Sequence, residues 1–289
     1  MGIALLAAIV AISASSLATP LTSDLIYGGR KVDTSKFPFQ LVLVAHGLGE
    51  DKAVVCGATL ISPRYALTAA HCPGHDDGVR VYGGIYDINN LNGKGAQSSA
   101  IRKFYPHSGY YKNGEMAYND IAIIELETEF HETDTVKFIK IDAPSLLPEL
   151  SETELQIVGF GAVEYKDRKY VPTTRLHYAQ VKYVDLPSCK MSILYPVGKG
   201  VCRVPSVALA TIYWLSNTYV SVSQRPPGDS GGPLIYQRYV PQIGTKEWRQ
   251  LGIVSHGTTP PKQLPNVFTR AASYCTWIEE VTKVACSNE

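Results

Sequence analysis

Hydrophobic positions along the chain fall into short alternating runs cut by Gly, Pro and Asn. Phe39-Gln40-Leu41-Val42-Leu43-Val44, Val79-Arg80-Val81-Tyr82, Ile121 to Leu126, Leu155-Gln156-Ile157-Val158 and Leu251-Gly252-Ile253-Val254 all read as strands. Turn-bounded strands at such intervals predict an all-β sandwich or barrel. Helical spacing appears only near the end, where Tyr274, Trp277, Ile278, Val281 and Val284 recur and predict one C-terminal helix over about 273–284. Thr128 to Leu150, with Pro144 and Pro148, has the least strand character and is the expected link between two halves.

The first residues break this pattern. Ile3 to Ile12 is a purely aliphatic run followed by small residues, with cleavage-compatible triplets ending at Ala14 and Ala18, so residues 1–18 read as a signal peptide. The run is too short for a membrane anchor, and no later stretch approaches about 18 apolar residues. The expectation is therefore a secreted, extracellular protein with no membrane partner, whose even set of six cysteines meets an oxidising compartment. At 289 residues, 45% hydrophobic and 18% charged, the chain can bury a core large enough for two domains and is neither disordered nor fibrous. Lys and Arg total 27 against 26 Asp and Glu, a net +1, which excludes an electrostatic binder of nucleic acid.

Three segments carry chemistry: Leu67-Thr68-Ala69-Ala70-His71-Cys72, Asn119-Asp120-Ile121-Ala122-Ile123-Ile124 and Gly228-Asp229-Ser230-Gly231-Gly232-Pro233. Peptide hydrolysis at neutral pH needs an oxygen nucleophile, a base to take its proton, and donors for the oxyanion that forms. Ser230 can attack, His71 can accept and return the proton, and Asp120 can hold the imidazole tautomer. The glycines around Ser230 allow a sharp turn that aims the N–H groups of Gly228 and Ser230 at one point. The same G-x-S-x-G satisfies the nucleophile elbow of α/β-hydrolases. In that fold acid and then histidine follow the serine, whereas here the order is His, Asp, Ser and only His256 lies beyond Ser230.

With these residues in view, the chain resembles the trypsin/chymotrypsin-like secreted serine proteases from about Ile26 to the C-terminal helix. The Ser-His-Asp triad is best known from this family, and the resemblance implies His71, Asp120 and Ser230 as that triad. It implies an all-β fold of two six-stranded antiparallel β-barrels, the first over about 26–140 and the second over about 150–272, with a peptidase domain spanning 26–289. Residues 19–25 become a short propeptide, and Ile26-Tyr27-Gly28-Gly29 the mature start, whose freed amino group pairs with Asp229. That pairing is a physical switch, because a buried carboxylate gains a cation only on cleavage. Leu25 before Ile26 points to an activator, or an aminopeptidase, that tolerates Leu.

Further resemblances concern specificity. Val254-Ser255-His256-Gly257 looks like the strand that pairs with substrate backbone, Gly159-Phe160-Gly161 like the family's Gly-aromatic-Gly turn, and Pro265 to Arg270 like the strand closing the specificity pocket. Counting back from Ser230 puts Gln224 at the pocket floor, with Gly257 at its mouth and Asn266 on its wall. A floor without an acid leaves a basic P1 side chain unpaired, so the expected P1 residue is uncharged. His256 stands where relatives place tryptophan.

The resemblance also implies disulfides Cys56–Cys72, Cys189–Cys202 and Cys275–Cys286; sequence by itself does not choose a pairing. A further bridge of the family is missing at both ends, with Pro226-Pro227 and Thr258-Thr259-Pro260-Pro261 in its place. A metal site built on Cys56, His71, Cys72 and His75 competes poorly with that reading, and Gly84 to Gly95 offers only Asp87 to a calcium ion. No metal and no cofactor are expected. Protein or peptide substrates and protein protease inhibitors are the expected partners of a monomer. The rival class is a catalytically silent homologue that uses the same body as a binding module.

Overall fold

The computed structural model describes residues 29–46, 52–74, 78–113, 116–146, 148, 153–166, 169–171, 173–183, 208–212, 228–256 and 266–288. Strands β1 Gln40–His46, β2 Lys52–Leu60, β3 Tyr65–Thr68, β4 Val79–Gly83, β5 Gln97–Pro106 and β6 Ala122–Leu126 close into a barrel in the order β1-β2-β3-β6-β5-β4. Strands β7 Leu155–Gly159, β8 His177–Tyr183, β9 Ala208–Ile212, β10 Pro233–Val240, β11 Thr245–His256 and β12 Asn266–Arg270 form a second antiparallel ring. Its order is β7-β8-β9-β12-β11-β10, with β10 pairing back onto β7. The two rings thus share one strand order, and closure leaves neither with a free edge.

Two short strands outside the rings join the second sheet. Arg30–Lys31 pairs antiparallel with β8, and Lys140–Ile141, in the expected link, pairs parallel with β11. The link is anchored by charge as well. Asp142, fully buried, accepts from the Tyr236 hydroxyl, from Arg249 Nε at 3.0 Å and pairs with Arg238 at 3.2 Å. Arg249 is itself only 1% exposed and also reaches Glu247 at 2.6 Å. A charge so deep persists only with partners.

Burial explains why β1 does not alternate cleanly. Leu41, Val42, Leu43 and Val44 are each at most 1% exposed, because one face fills the barrel and the other is covered by neighbouring structure. The larger apolar cluster extends from these residues to Phe160, Ile235 and Ile253 of the second barrel, and a smaller one of Leu155, Ile157, Leu234, Tyr236, Leu251 and Phe268 lies within that barrel. Each such side chain contributes about 1.5–3 kcal/mol when fully buried.

A 3-10 turn, Ala271–Tyr274, runs into helix α1, Cys275–Thr282. The helix is shorter than its periodicity predicts because Lys283 takes a left-handed conformation and donates its N–H to the Glu279 carbonyl at 2.9 Å, closing the last turn. A disulfide joins Cys275 to Cys286 across it, and another joins Cys56 to Cys72. Cys189 and Cys202 lie outside the described residues, as do residues 1–25, Ile26, Gln224, the two proline pairs and Gly257.

Candidate active site

His71 and Asp120 meet because of strand register. Thr68, the last residue of β3, sits opposite Ala122, the first of β6. In an antiparallel pair the chain leaving Thr68 and the chain entering Ala122 emerge at the same barrel rim, so residues 71 and 120 converge there. The Asp120 carboxylate accepts the His71 N–H at 3.0 Å through Oδ1 and faces His71 Nδ1 at 2.7 Å through Oδ2. Asp120 is 1% exposed, whereas the His71 side chain is 17% exposed and thus open on its other side.

Burial is the largest influence on the Asp120 carboxyl and pushes its pKa up. Against it act the hydrogen bond and charge of His71, the Ser255 hydroxyl and the His71 N–H, and together they hold the group below the ordinary carboxylate range. Ser255 Oγ donates to Asp120 Oδ2 at 2.5 Å, and Thr269 Oγ1 donates to the Asp120 carbonyl at 2.8 Å. Both partners come from the second barrel. The sequence assigns Ser255 to the substrate-pairing strand but gives no hint of its hydroxyl's partner; no local signal announces a bond spanning 135 residues.

Ser230 lies on the short loop before β10. Gly57 N–H donates to the Ser230 carbonyl at 2.7 Å, and Cys72 Sγ lies 3.8 Å from the same oxygen, so the serine's backbone is pinned beside the residue that follows His71. Gly231 then donates to the Val254 carbonyl and Val254 donates to that of Gly232, both at 2.8 Å. Gly231 has φ +79, and a Cβ there would stand 2.2 Å from Thr68 Oγ1 and 2.5 Å from the Gly57 carbonyl. Only glycine lets the barrels approach so closely at this point.

The neighbouring Asp229 turns the other way. Its Oδ1 accepts the Gly161 N–H at 2.8 Å, and a Cβ at Gly161 would fall 2.0 Å from Oδ2. The Gly159-Phe160-Gly161 turn is therefore the seat of this carboxylate. Burial pushes its pKa up to about 6, with the Gly161 N–H pulling weakly the other way.

Compared with models of known protein families, residues 26–278 match Trypsin. The chain belongs to the trypsin family. It is similar to CLIP domain-containing serine protease B10 of Anopheles gambiae, 26% identical over 89% of this chain and 70% of that protein. It is also similar to phenoloxidase-activating factor 3 of Holotrichia diomphalia, 26% identical over 90% and 73%, and to melanization protease 1 of Drosophila melanogaster, 25% identical over 89% and 65%. Family membership makes it a trypsin-like serine protease by descent and accounts for the twin barrels.

His256 ends β11 opposite Val267, and Asn266 opens β12 opposite Thr211, so both stand at one end of the second barrel. Gly228, buried, opens the Ser230 loop. The ligand atoms of Cys56, His71 and Cys72 lie within 4.8 Å of one another, but both sulfurs are committed to the disulfide and offer no thiolate. Asp87 accepts the Asn89 N–H at 3.0 Å and pairs with Arg175 at 3.0 Å, so this carboxylate already serves the protein itself. Among the described residues no helix is long and apolar enough to cross a membrane.

Proposed function

We propose that this chain is a secreted serine endopeptidase, made as a zymogen and acting through an acyl-enzyme. Ser230 Oγ attacks the scissile carbonyl while His71 Nε2 takes its proton; Asp120 holds Nδ1–H and stabilises the imidazolium. The N–H groups of Gly228 and Ser230 receive the oxyanion, and His71 then delivers the proton to the leaving amine. The observation that carries this reading is the buried Asp120, doubly hydrogen-bonded to a partly exposed His71, with the Ser230 backbone tied to Gly57 beside them.

In this reading residues 1–18 direct export, 19–25 are removed, and the amino group of Ile26 reaches Asp229. The family match opening at residue 26 supports that boundary. Cys189 and Cys202 form a third bridge, Gln224 lines a pocket for an uncharged P1 residue with His256, Gly257 and Asn266 around it, and protein or peptide substrates and protein inhibitors are the partners of a monomer. No metal or cofactor takes part in the steps as written.

A fluorophosphonate probe tests the proposal. Labelling at Ser230 of the processed protein, lost in Ser230→Ala, is the expected result; an unlabelled, folded and processed protein overturns it in favour of the silent binding homologue. Amino-terminal sequencing of the active form should begin at Ile26. A peptide panel varied only at P1 should show no strong preference for Arg or Lys.

A further inference from the structure

The residue before Asp120 is held in an uncommon way. Asn119 has φ 49, in the left-handed region that asparagine tolerates better than other side chains because its amide bonds locally. Both ends of that amide are engaged. The Tyr274 hydroxyl donates to Oδ1 at 2.9 Å, and Nδ2 donates to the Gly109 carbonyl at 2.8 Å.

Gly109 is fixed in turn by His107, whose Nδ1 accepts its N–H at 3.1 Å. The His107 ring stands edge-on against Tyr274 and Trp277, with centroids 5.1 Å apart in each case. The His107 N–H also donates to the Ile121 carbonyl at 3.0 Å. Residues on both sides of Asp120 are thereby tied to one aromatic unit on the C-terminal segment, and Tyr274 is adjacent to the bridged Cys275.

We infer that Tyr274 is a positioning residue for the Asp120–His71 pair, acting through the Asn119 side chain. This rests on the catalytic reading above. The hydroxyl locks Asn119 in its left-handed turn, and that turn aims the Asp120 carboxylate at His71 Nδ1. Displacement of a catalytic group by a fraction of an ångström is costly in rate even when the fold is intact. Burial, and then the charge of Asp120, push the Tyr274 phenol up to about 12, which agrees with its nearness to that carboxylate.

Tyr274→Phe removes the hydroxyl and keeps the ring against His107. In the processed enzyme kcat should fall roughly five- to tenfold with KM within about twofold, the pattern of lost transition-state alignment. Asn119→Gly accepts the same φ without a side chain, so adding Tyr274→Phe to it should cost nothing further. An equal loss on both backgrounds, or no loss on the native one, overturns the inference.

The far-downfield proton resonance of His71 Nδ1–H gives a readout that needs no turnover. In a Ser230→Ala background it should broaden or shift on Tyr274→Phe, and an unchanged resonance overturns the inference. If the native protein is not labelled by fluorophosphonate, the catalytic reading falls while the resonance still decides the role of Tyr274. Should Tyr274→Phe yield too little folded protein, Asn119→Gly read by the same resonance replaces it, with the same two outcomes.

Discussion

Asp229 offers a quantitative test of the proposed activation switch. In the uncleaved chain its carboxyl is buried, bonded to the Gly161 N–H at 2.8 Å, and not paired with a cation among the described residues. Its pKa moves from 3.8 to about 6, roughly two units, or about 3 kcal/mol at ~1.4 kcal/mol per unit. The sign follows from proton uptake: between about pH 4 and pH 6 the native state binds the proton that the unfolded state has released. The contribution is fully present below the unfolded value of 3.8 and is lost as pH rises through about 6. Ser230→Ala protein, uncleaved and unable to digest itself, should therefore lose up to about 3 kcal/mol from this group between pH 4 and pH 7 in urea unfolding. Asp229→Asn in the same background should abolish that slope and be the more stable protein at neutral pH. Cleavage before Ile26 should also abolish it if, as proposed, the new ammonium group pairs with the carboxylate. An identical pH slope with Asp or Asn at 229 would refute the argument.

Other consequences concern neighbours of the site and the core. Ser255→Ala removes a donor to a buried carboxylate, worth about 1.5–3 kcal/mol, and should lower kcat roughly tenfold or more while raising the Asp120 pKa. Because Asp120 is held below its ordinary range, its share of stability is present above the unfolded pKa of 3.8 and is lost as pH falls through the folded value; an acid titration of Asp120→Asn against the native protein should show it. Gly231→Ala should prevent accumulation of folded protein or abolish fluorophosphonate labelling, since the new methyl meets Thr68 and the Gly57 carbonyl. Asp142→Ala takes from buried Arg249 one of its two carboxylate partners, Glu247 remaining, and from Arg238 its partner, and should cost about 3–5 kcal/mol in chemical denaturation, whereas a loss under about 1 kcal/mol would show that the cluster is dispensable.

Much of the architecture is legible from residues alone. The runs at 39–44, 79–82, 121–126 and 155–158 match β1, β4, β6 and β7 to within a residue or two, because alternation and turn residues act over the span of one strand. The His71, Asp120 and Ser230 segments are equally visible, since each is a compact motif. β11 is recognisable only from Leu251, although it begins at Thr245, because buried Arg249 looks like a surface residue until Asp142 is brought to it from elsewhere in the chain.

Sequence by itself determined which residues could do chemistry and which stretches would be strands. Only the tertiary structure decided that Thr68 faces Ala122, that Gly57 grips the Ser230 loop, and that Ser255 and Tyr274 reach Asp120 and Asn119 from 135 and 155 residues away. The reason is physical. Propensity and periodicity are properties of neighbouring residues, whereas these contacts exist only once two closed barrels bury a shared apolar surface and fix the register of distant segments.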